Sequence, residues 1–163
     1  MPYTSTCWPG QDPLDGWTEL PLSPAVMTAY WDTDIIDTSG IPSPRSLRVT
    51  DPFDVWFRVE LVGSIWHCMA GSWEFDVGFT AIGSGGSFDL SAHLKPGDLV
   101  EADWKGCGRN CVEKRVTVPA NTIPISGRGT VYELAAKFFF VCCDGEVAAT
   151  GAEALEEFEF YRP

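Results

Sequence analysis

Two cysteines separated by three residues, Cys107 and Cys111, are the most chemically suggestive pair in the sequence. They lie in the stretch WKGCGRNCVEK, where two glycines permit tight bends. The spacing suits one edge of a tetrahedral zinc site, a small loop closed by a disulfide, or two free thiols. A closed zinc site needs two more ligands, and no second pair at this spacing occurs among the other candidates, which are Cys68, Cys142, Cys143, His67 and His93. Zinc is therefore disfavoured.

A disulfide between Cys107 and Cys111 fits the expected local structure, because the pair lies where one predicted strand turns into the next. Closing so short a loop stabilises a fold by only about 2 kcal/mol. Free thiols are the alternative in a reducing compartment. The C-x-x-C pair that redox enzymes carry at a helix start does not occur in the sequence, so we expect no redox chemistry.

An acidic stretch, YWDTDIIDTSG, offers oxygen atoms that suit a calcium ion. The candidate ligands are Asp32, Asp34, Asp37 and Ser39, in a loop expected over residues 32–40. Their spacing departs from the EF-hand pattern, and loop aspartates also serve as turn formers. We predict no metal and no cofactor, with calcium in this loop as the alternative.

Few residues in the sequence could form a catalytic site. The sequence has two histidines, so a histidine-activated nucleophile would have to use His67 or His93. The stretch GSGGS is not the G-x-S-x-G elbow of hydrolases, and no glycine-rich phosphate loop occurs. We predict no catalytic residue and a protein that is not an enzyme.

The sequence segments that position these residues have the pattern of short strands. In FDVWFRVELVG, Phe53, Val55, Phe57, Val59 and Leu61 alternate with polar residues, and SWEFDVGFTAIG repeats this period of two. Strands are predicted at residues 26–31, 46–49, 53–61, 73–81, 87–90, 98–104, 111–118, 131–142 and 155–161. The one candidate helix, over residues 152–157, is short and poorly patterned.

About eight or nine strands with turn signals between them predict an all-β fold, an antiparallel two-sheet β-sandwich of immunoglobulin-like or C2-like shape. The prolines at positions 9, 13, 21 and 24 predict an extended N-terminal arm over residues 1–25, which Trp8 and Trp17 pin to the body. Residues 26–163 then form a single sandwich domain.

Three apolar residues fall in phase with the polar faces of their strands: Trp56, Phe139 and Val141. If those faces are exposed, these side chains are candidates for a partner-binding surface. The alternative is that the N-terminal arm, or a central position in the sheet, covers them.

The formal charge of −12 opposes binding to nucleic acid and to anionic membranes. No signal peptide or membrane span is recognisable, which predicts a cytoplasmic protein. The leading interpretation is a non-catalytic module for protein–protein interaction or self-assembly. Two alternatives remain: a calcium- or zinc-dependent binding protein or hydrolase, and a small-molecule carrier with its pocket between the sheets.

Overall fold

A computed structural model describes residues 2–19, 27–37, 45–63, 70–83, 86–95, 97–105, 110–142 and 147–163 of the chain. Ten strands and one short 3₁₀ helix, Leu90–His93, form its regular structure. The strands are β1 (Gly16–Glu19), β2 (Met27–Ile36), β3 (Ser46–Arg48), β4 (Phe53–Gly63), β5 (Ala70–Ala81), β6 (Ser87–Asp89), β7 (Val100–Lys105), β8 (Cys111–Val118), β9 (Gly129–Cys142) and β10 (Val147–Tyr161).

The strands form two sheets. Sheet 1 has the order β1-β2-β4-β8, and sheet 2 has the order β3-β10-β9-β5-β6, with β7 also pairing with β5. Neighbouring strands are antiparallel except for β3 and β10, which run parallel over three residue pairs. The prediction of an all-β, antiparallel two-sheet sandwich is confirmed, with ten strands described instead of about eight or nine.

The core lies between the sheets and consists of the residues that alternation places on one face of each strand. In β4 these are Phe53, Val55, Phe57, Val59 and Leu61, and in β5 Trp73, Phe75, Val77 and Phe79, all buried. Aromatic rings meet across the interface: Phe57 stacks on Phe75 with centroids 4.8 Å apart, and Trp31 meets Phe138 edge-on at 5.2 Å. The period of two in the sequence therefore identified the buried faces correctly.

One local prediction was wrong, and the one candidate helix is part of a strand. The acidic residues Asp32 and Asp34 belong to β2, which continues to Ile36 instead of ending in a loop at Trp31. Residues 152–157, the candidate helix, lie within β10, because β10 is hydrogen-bonded along β9 from Val147 to Tyr161. In both places pairing with a neighbouring strand overrides the local preference of the segment.

The N-terminal region contributes to sheet 1 as well as running over it. Within residues 1–25, Gly16–Glu19 forms β1 and pairs with β2. The preceding residues 2–14 cross the outer face of sheet 1, and we call them the N-terminal cover. The division into an arm of residues 1–25 and a domain of residues 26–163 stays a prediction. Among the described residues, no helix has the length and apolar character needed to cross a membrane.

The space between the sheets bears on the carrier alternative. A narrow gap among Trp31, Phe57, Phe75 and Phe138 has no room for a water-sized molecule. Small-molecule sites are usually clefts of roughly 300–1,000 Å³. This space is thus too small for a carried ligand of ordinary size.

Candidate functional site: the covered face of sheet 1

Four charged side chains lie buried on the outer face of sheet 1, where strand alternation would place them in water. Their relative exposures are 6% for Asp32, 4% for Asp54, 1% for Arg58 and 1% for Glu60. Charged groups are almost never buried this fully unless they are paired. The N-terminal cover supplies much of this burial and many of the partners, so the face binds a peptide segment of its own chain.

Glu60 is the main anchor for the start of the cover. Its carboxylate accepts hydrogen bonds from the hydroxyls of Tyr3 (3.2 Å), Ser5 (2.5 Å) and Thr6 (2.6 Å), and from the backbone N–H of Thr6 (3.2 Å). The Tyr3 ring also stacks on Tyr30 of β2, with centroids 3.9 Å apart. Burial and the Glu60 carboxylate raise the pKa of the Tyr3 phenol above its usual value, so the hydroxyl remains a donor.

Arg58 holds the centre of the face. One terminal nitrogen, Nη2, lies 2.6 Å from the Asp34 carboxylate and 3.6 Å from that of Asp32. The other, Nη1, donates to the backbone oxygen of Asp12 in the cover at 3.3 Å. The guanidinium also packs on two indole rings, 4.4 Å from the centroid of Trp56 and 5.8 Å from that of Trp8.

Glu113 of β8 joins the two tryptophans. Its Oε2 atom accepts a hydrogen bond from the indole N–H of Trp8 and from that of Trp56, both at 2.9 Å. The two rings meet edge-on with centroids 6.4 Å apart. Trp56, a candidate partner-binding residue, is therefore half-buried beneath the cover, as the alternative interpretation of the sequence allowed. The expected pinning role of Trp8 matches these contacts.

A second buried carboxylate, Asp54, secures the far end of the same face. It accepts a hydrogen bond from the Arg115 side chain at 2.5 Å and one from the Thr117 hydroxyl at 2.6 Å. Both partners belong to β8, whose register places Arg115 opposite Trp56 and Thr117 opposite Asp54. The pairing of β4 with β8 thus brings the two halves of this ion pair together.

One disulfide ties the cover to the sheet. Cys7 of the cover is bonded to Cys111 at the start of β8, a sequence separation of 104 residues. The predicted bond between Cys107 and Cys111 is therefore wrong, because Cys111 lies opposite Glu60 on the outer face, where the cover brings Cys7 to it. Cys107 lies outside the described residues, as do His67, Cys68 and Cys143.

The candidate metal ligands lie partly within the described residues. Asp32 and Asp34 face Arg58, and Ser39 lies outside the described residues. His93 is exposed, with its ring on Phe88 and its Nδ1 atom 3.0 Å from the backbone oxygen of Asp89. Within the described part of the chain, no three histidine, cysteine, aspartate or glutamate side chains converge as metal ligands.

The partly buried carboxyl of Asp34 gives the face a pH dependence. Burial, which outweighs the attraction of Arg58, raises the pKa of Asp34 above its ordinary value of 3.8. The native state then binds this proton more tightly than the unfolded chain does. The contribution of Asp34 to the free energy of unfolding accordingly falls as the pH rises from 3.8 through the folded-state pKa.

Replacing Asp34 by asparagine tests this direction. Asparagine keeps an oxygen that accepts from Arg58 but does not titrate. We expect the unfolding free energy of the wild type, minus that of Asp34→Asn, to decrease between about pH 3.5 and pH 7. Urea unfolding at a series of pH values measures the difference. A difference that rises with pH would show that the pKa is lowered instead.

The other two candidate interface residues, Phe139 and Val141, lie on the outer face of sheet 2. They are therefore on the opposite side of the sandwich from Trp56, and the three residues do not form one patch. Phe139 and Val141 are half-buried in β9, and the Lys137 ammonium lies 5.9 Å from the Phe139 ring centroid. Register pairs Phe139 with Thr150 and Val141 with Val147 of β10.

A shallow groove of about 540 Å³ runs along the same outer face. Its floor includes Gly78 and Ala135, which are paired across β5 and β9. Asp76, at its side, forms an ion pair with Lys137 at 3.3 Å and accepts a short hydrogen bond from the Ser91 hydroxyl. These polar groups satisfy one another and fix the 3₁₀ helix to β5.

Comparison with known proteins adds little to this geometry. No protein-family model matches the chain, and no curated protein matches it. Among solved structures, the chain is similar to AggA, the major subunit of aggregative adherence fimbriae type I from Escherichia coli. The two share 10% identity over 83% of this chain and 95% of that chain, with a TM-score of 0.41. A likeness this weak carries no argument about function.

Sequence reasoning missed Arg58, Glu60 and Cys7 as members of the covered face. Arg58 and Glu60 occupy the polar phase of β4, which is the ordinary place for a solvent-exposed charge. The only signal in the sequence was the two tryptophans at positions 8 and 56. A large apolar ring at each position is expected to pack against another part of the protein.

Proposed function

We propose that this protein is a non-catalytic β-sandwich module that associates with further copies of itself, or with another protein, through the outer face of sheet 2 at β9 and β10. The observation that carries the proposal is that Phe139 and Val141 are half-exposed and lie beside strand β10. Within the described residues, β10 is hydrogen-bonded to β9 along its length but to β3 only at Glu159, Phe160 and Tyr161.

Within the described part of the chain, the rest of β10 has no strand paired on the side away from β9, and β1 lies near it. Unpaired edge strands present backbone N–H and C=O groups that pair readily with another chain, and proteins commonly protect them with lysine, proline or short length. Residues 147–157 contain no lysine, arginine or proline. By contrast, the edge strand β8 has a half-buried lysine, Lys114, on the same side as its core residues. A lysine at such a position is a common protection of an edge strand against pairing with another chain.

The covered face also favours a protein that is not an enzyme. Its buried charges are engaged with the cover and with one another, so they hold a peptide segment instead of facing an open cleft. The outer face of sheet 2 is therefore the surface that the proposal assigns to this association.

Phe139→Glu tests the proposed contact. A buried aromatic anchor typically contributes about 2 kcal/mol or more, so we expect the dissociation constant of self-association to rise about 30-fold. Sedimentation equilibrium over a range of protein concentrations measures it. Val131→Glu is the matched control, because Val131 is exposed on the same face of the same strand, eight residues away.

Two outcomes would contradict the proposal. The first is a wild-type protein that remains monomeric at every concentration and binds no partner through this face. The second is a Phe139→Glu variant that associates as the Val131→Glu control does. A melting temperature close to that of the wild type shows that neither substitution acts through unfolding.

A further inference from the structure

The face of sheet 1 beneath the N-terminal cover is a built binding surface. It offers a carboxylate that accepts four hydrogen bonds from Tyr3, Ser5 and Thr6, and a guanidinium that bonds Asp12 and packs on Trp8. These contacts are directional, and they are complementary to the side chains and backbone of the cover. The surface therefore recognises residues 2–14 of this chain.

The cover is also closed on itself at its two ends. Tyr3 and Leu14 form a backbone bridge with two hydrogen bonds of 2.8 Å, which closes the segment on itself. Beyond Leu14, only Asp15 separates the cover from β1. One covalent bond, Cys7–Cys111, joins the cover to the face.

A segment of this kind makes the same contacts whether its face belongs to its own chain or to an identical one. Exchange of identical elements is a low-cost route to dimers, because the bonds lost in one copy are regained in the other. The connection at Asp15 must open, and association competes with the effective concentration of the tethered cover, which reaches the millimolar range for short linkers.

We propose that the outer face of sheet 1 is an interaction surface for a second copy of this chain, and that it binds that copy's N-terminal cover in place of its own. This surface lies on the other sheet from Phe139, so the inference does not depend on the contact proposed for β9 and β10. The bond between Cys7 of one chain and Cys111 of the other fixes the exchanged state.

The covalent step is a thiol–disulfide exchange, with glutathione disulfide as the oxidant in the test. The Cys7 thiolate of one chain attacks glutathione disulfide and forms a mixed disulfide, releasing one glutathione thiolate. The Cys111 thiolate of the second chain then displaces the second glutathione. Two protein thiols lose two electrons and two protons, and one glutathione disulfide becomes two glutathione thiols.

A complementation experiment isolates the exchanged bond. Cys7→Ser chains of natural isotope content and ¹⁵N-labelled Cys111→Ser chains each lack one half of the pair. The two reduced full-length chains are mixed at high concentration, oxidised with glutathione disulfide, digested and analysed by mass spectrometry. We expect linked peptides that join labelled Cys7 to unlabelled Cys111, and expect them to exceed links from Cys7 to any other cysteine about tenfold.

Removing Trp8 from the labelled chain supplies the specificity control. Trp8→Ala in the Cys111→Ser background removes the ring that contacts Arg58 and Trp56, so we expect the yield of the Cys7–Cys111 link to fall about tenfold. Linkage to all cysteines at similar yields, or a yield that Trp8→Ala leaves unchanged, would overturn the inference.

Wild-type chains provide a second route if the variants fold poorly. Equal amounts of labelled and unlabelled wild-type protein are reduced, mixed and reoxidised, and mixed-isotope Cys7–Cys111 peptides are the expected product. Peptides carrying a single isotope in both halves, at every protein concentration, would overturn the proposal. Phe139→Glu in both chains should leave the mixed product unchanged, which separates this interface from the one on sheet 2.

Discussion

Replacing Cys7 by serine is expected to lower the free energy of unfolding by about 4.7 kcal/mol. Cys7 and Cys111 are separated by 104 residues, and on the chain-entropy model a closed loop of that length restricts the unfolded chain by this amount. Removing the bond also frees the cover, so the contacts of Tyr3 and Trp8 with sheet 1 weaken. Urea unfolding of oxidised wild-type and Cys7→Ser proteins measures the loss.

A double-mutant cycle controls for the thiols themselves. Cys111→Ser and the double variant should each lose about as much as Cys7→Ser, because all three remove the same bond. Wild-type protein in excess reductant should approach the same stability. Equal stability of the oxidised wild type and Cys7→Ser, with six thiols accessible to alkylation after unfolding, would show that the bond does not form.

Replacing Arg58 by alanine is expected to lower the free energy of unfolding by about 3–5 kcal/mol, the cost of removing one member of a buried ion pair. The change leaves the Asp32 and Asp34 carboxylates without their shared cation on a face where Asp32 is fully covered. It also removes the cation that packs on Trp8 and Trp56. Thermal and urea unfolding measure the effect.

Lys137→Ala is the matched control for Arg58→Ala. The Lys137–Asp76 pair lies on the outer face of sheet 2 with side-chain exposures of 49% and 35%, and exposed pairs contribute about 0–1 kcal/mol. If both variants lose a similar amount, the buried network is not the main determinant of the stability of sheet 1. Arg58→Lys should fall between the wild type and alanine, since lysine keeps the charge but loses the planar group that stacks on the indoles.

The disulfide bears on where the protein works. Bonds of this kind persist in oxidising compartments and are rare in the cytosol, where thiols are kept reduced. The expected cytoplasmic location stays a prediction, and the alkylation measurement on protein isolated from its native compartment addresses it. A reduced Cys7–Cys111 pair in that material would fit the cytoplasm, and an oxidised pair would favour an exported protein.

The role assigned to Trp56 differs between the sequence and the structure. Its phase in β4 made it a candidate for a partner-binding surface, with coverage by the N-terminal arm as the alternative. In the structure the N-terminal cover of the same chain lies over it. We therefore assign Trp56 to the stability of the covered face. Phe139 and Val141 keep the role of candidate interface residues.

The sequence alone determined the strand periods and hence the buried faces, as the alternation in β4 and β5 shows. It determined these because a period of two is a property of neighbouring residues along one strand. Only the tertiary structure decided which cysteine meets Cys111 and that Arg58 and Glu60 are buried. Each of these depends on a segment distant in sequence, whose position follows from the order of strands in the sheets and not from any local pattern.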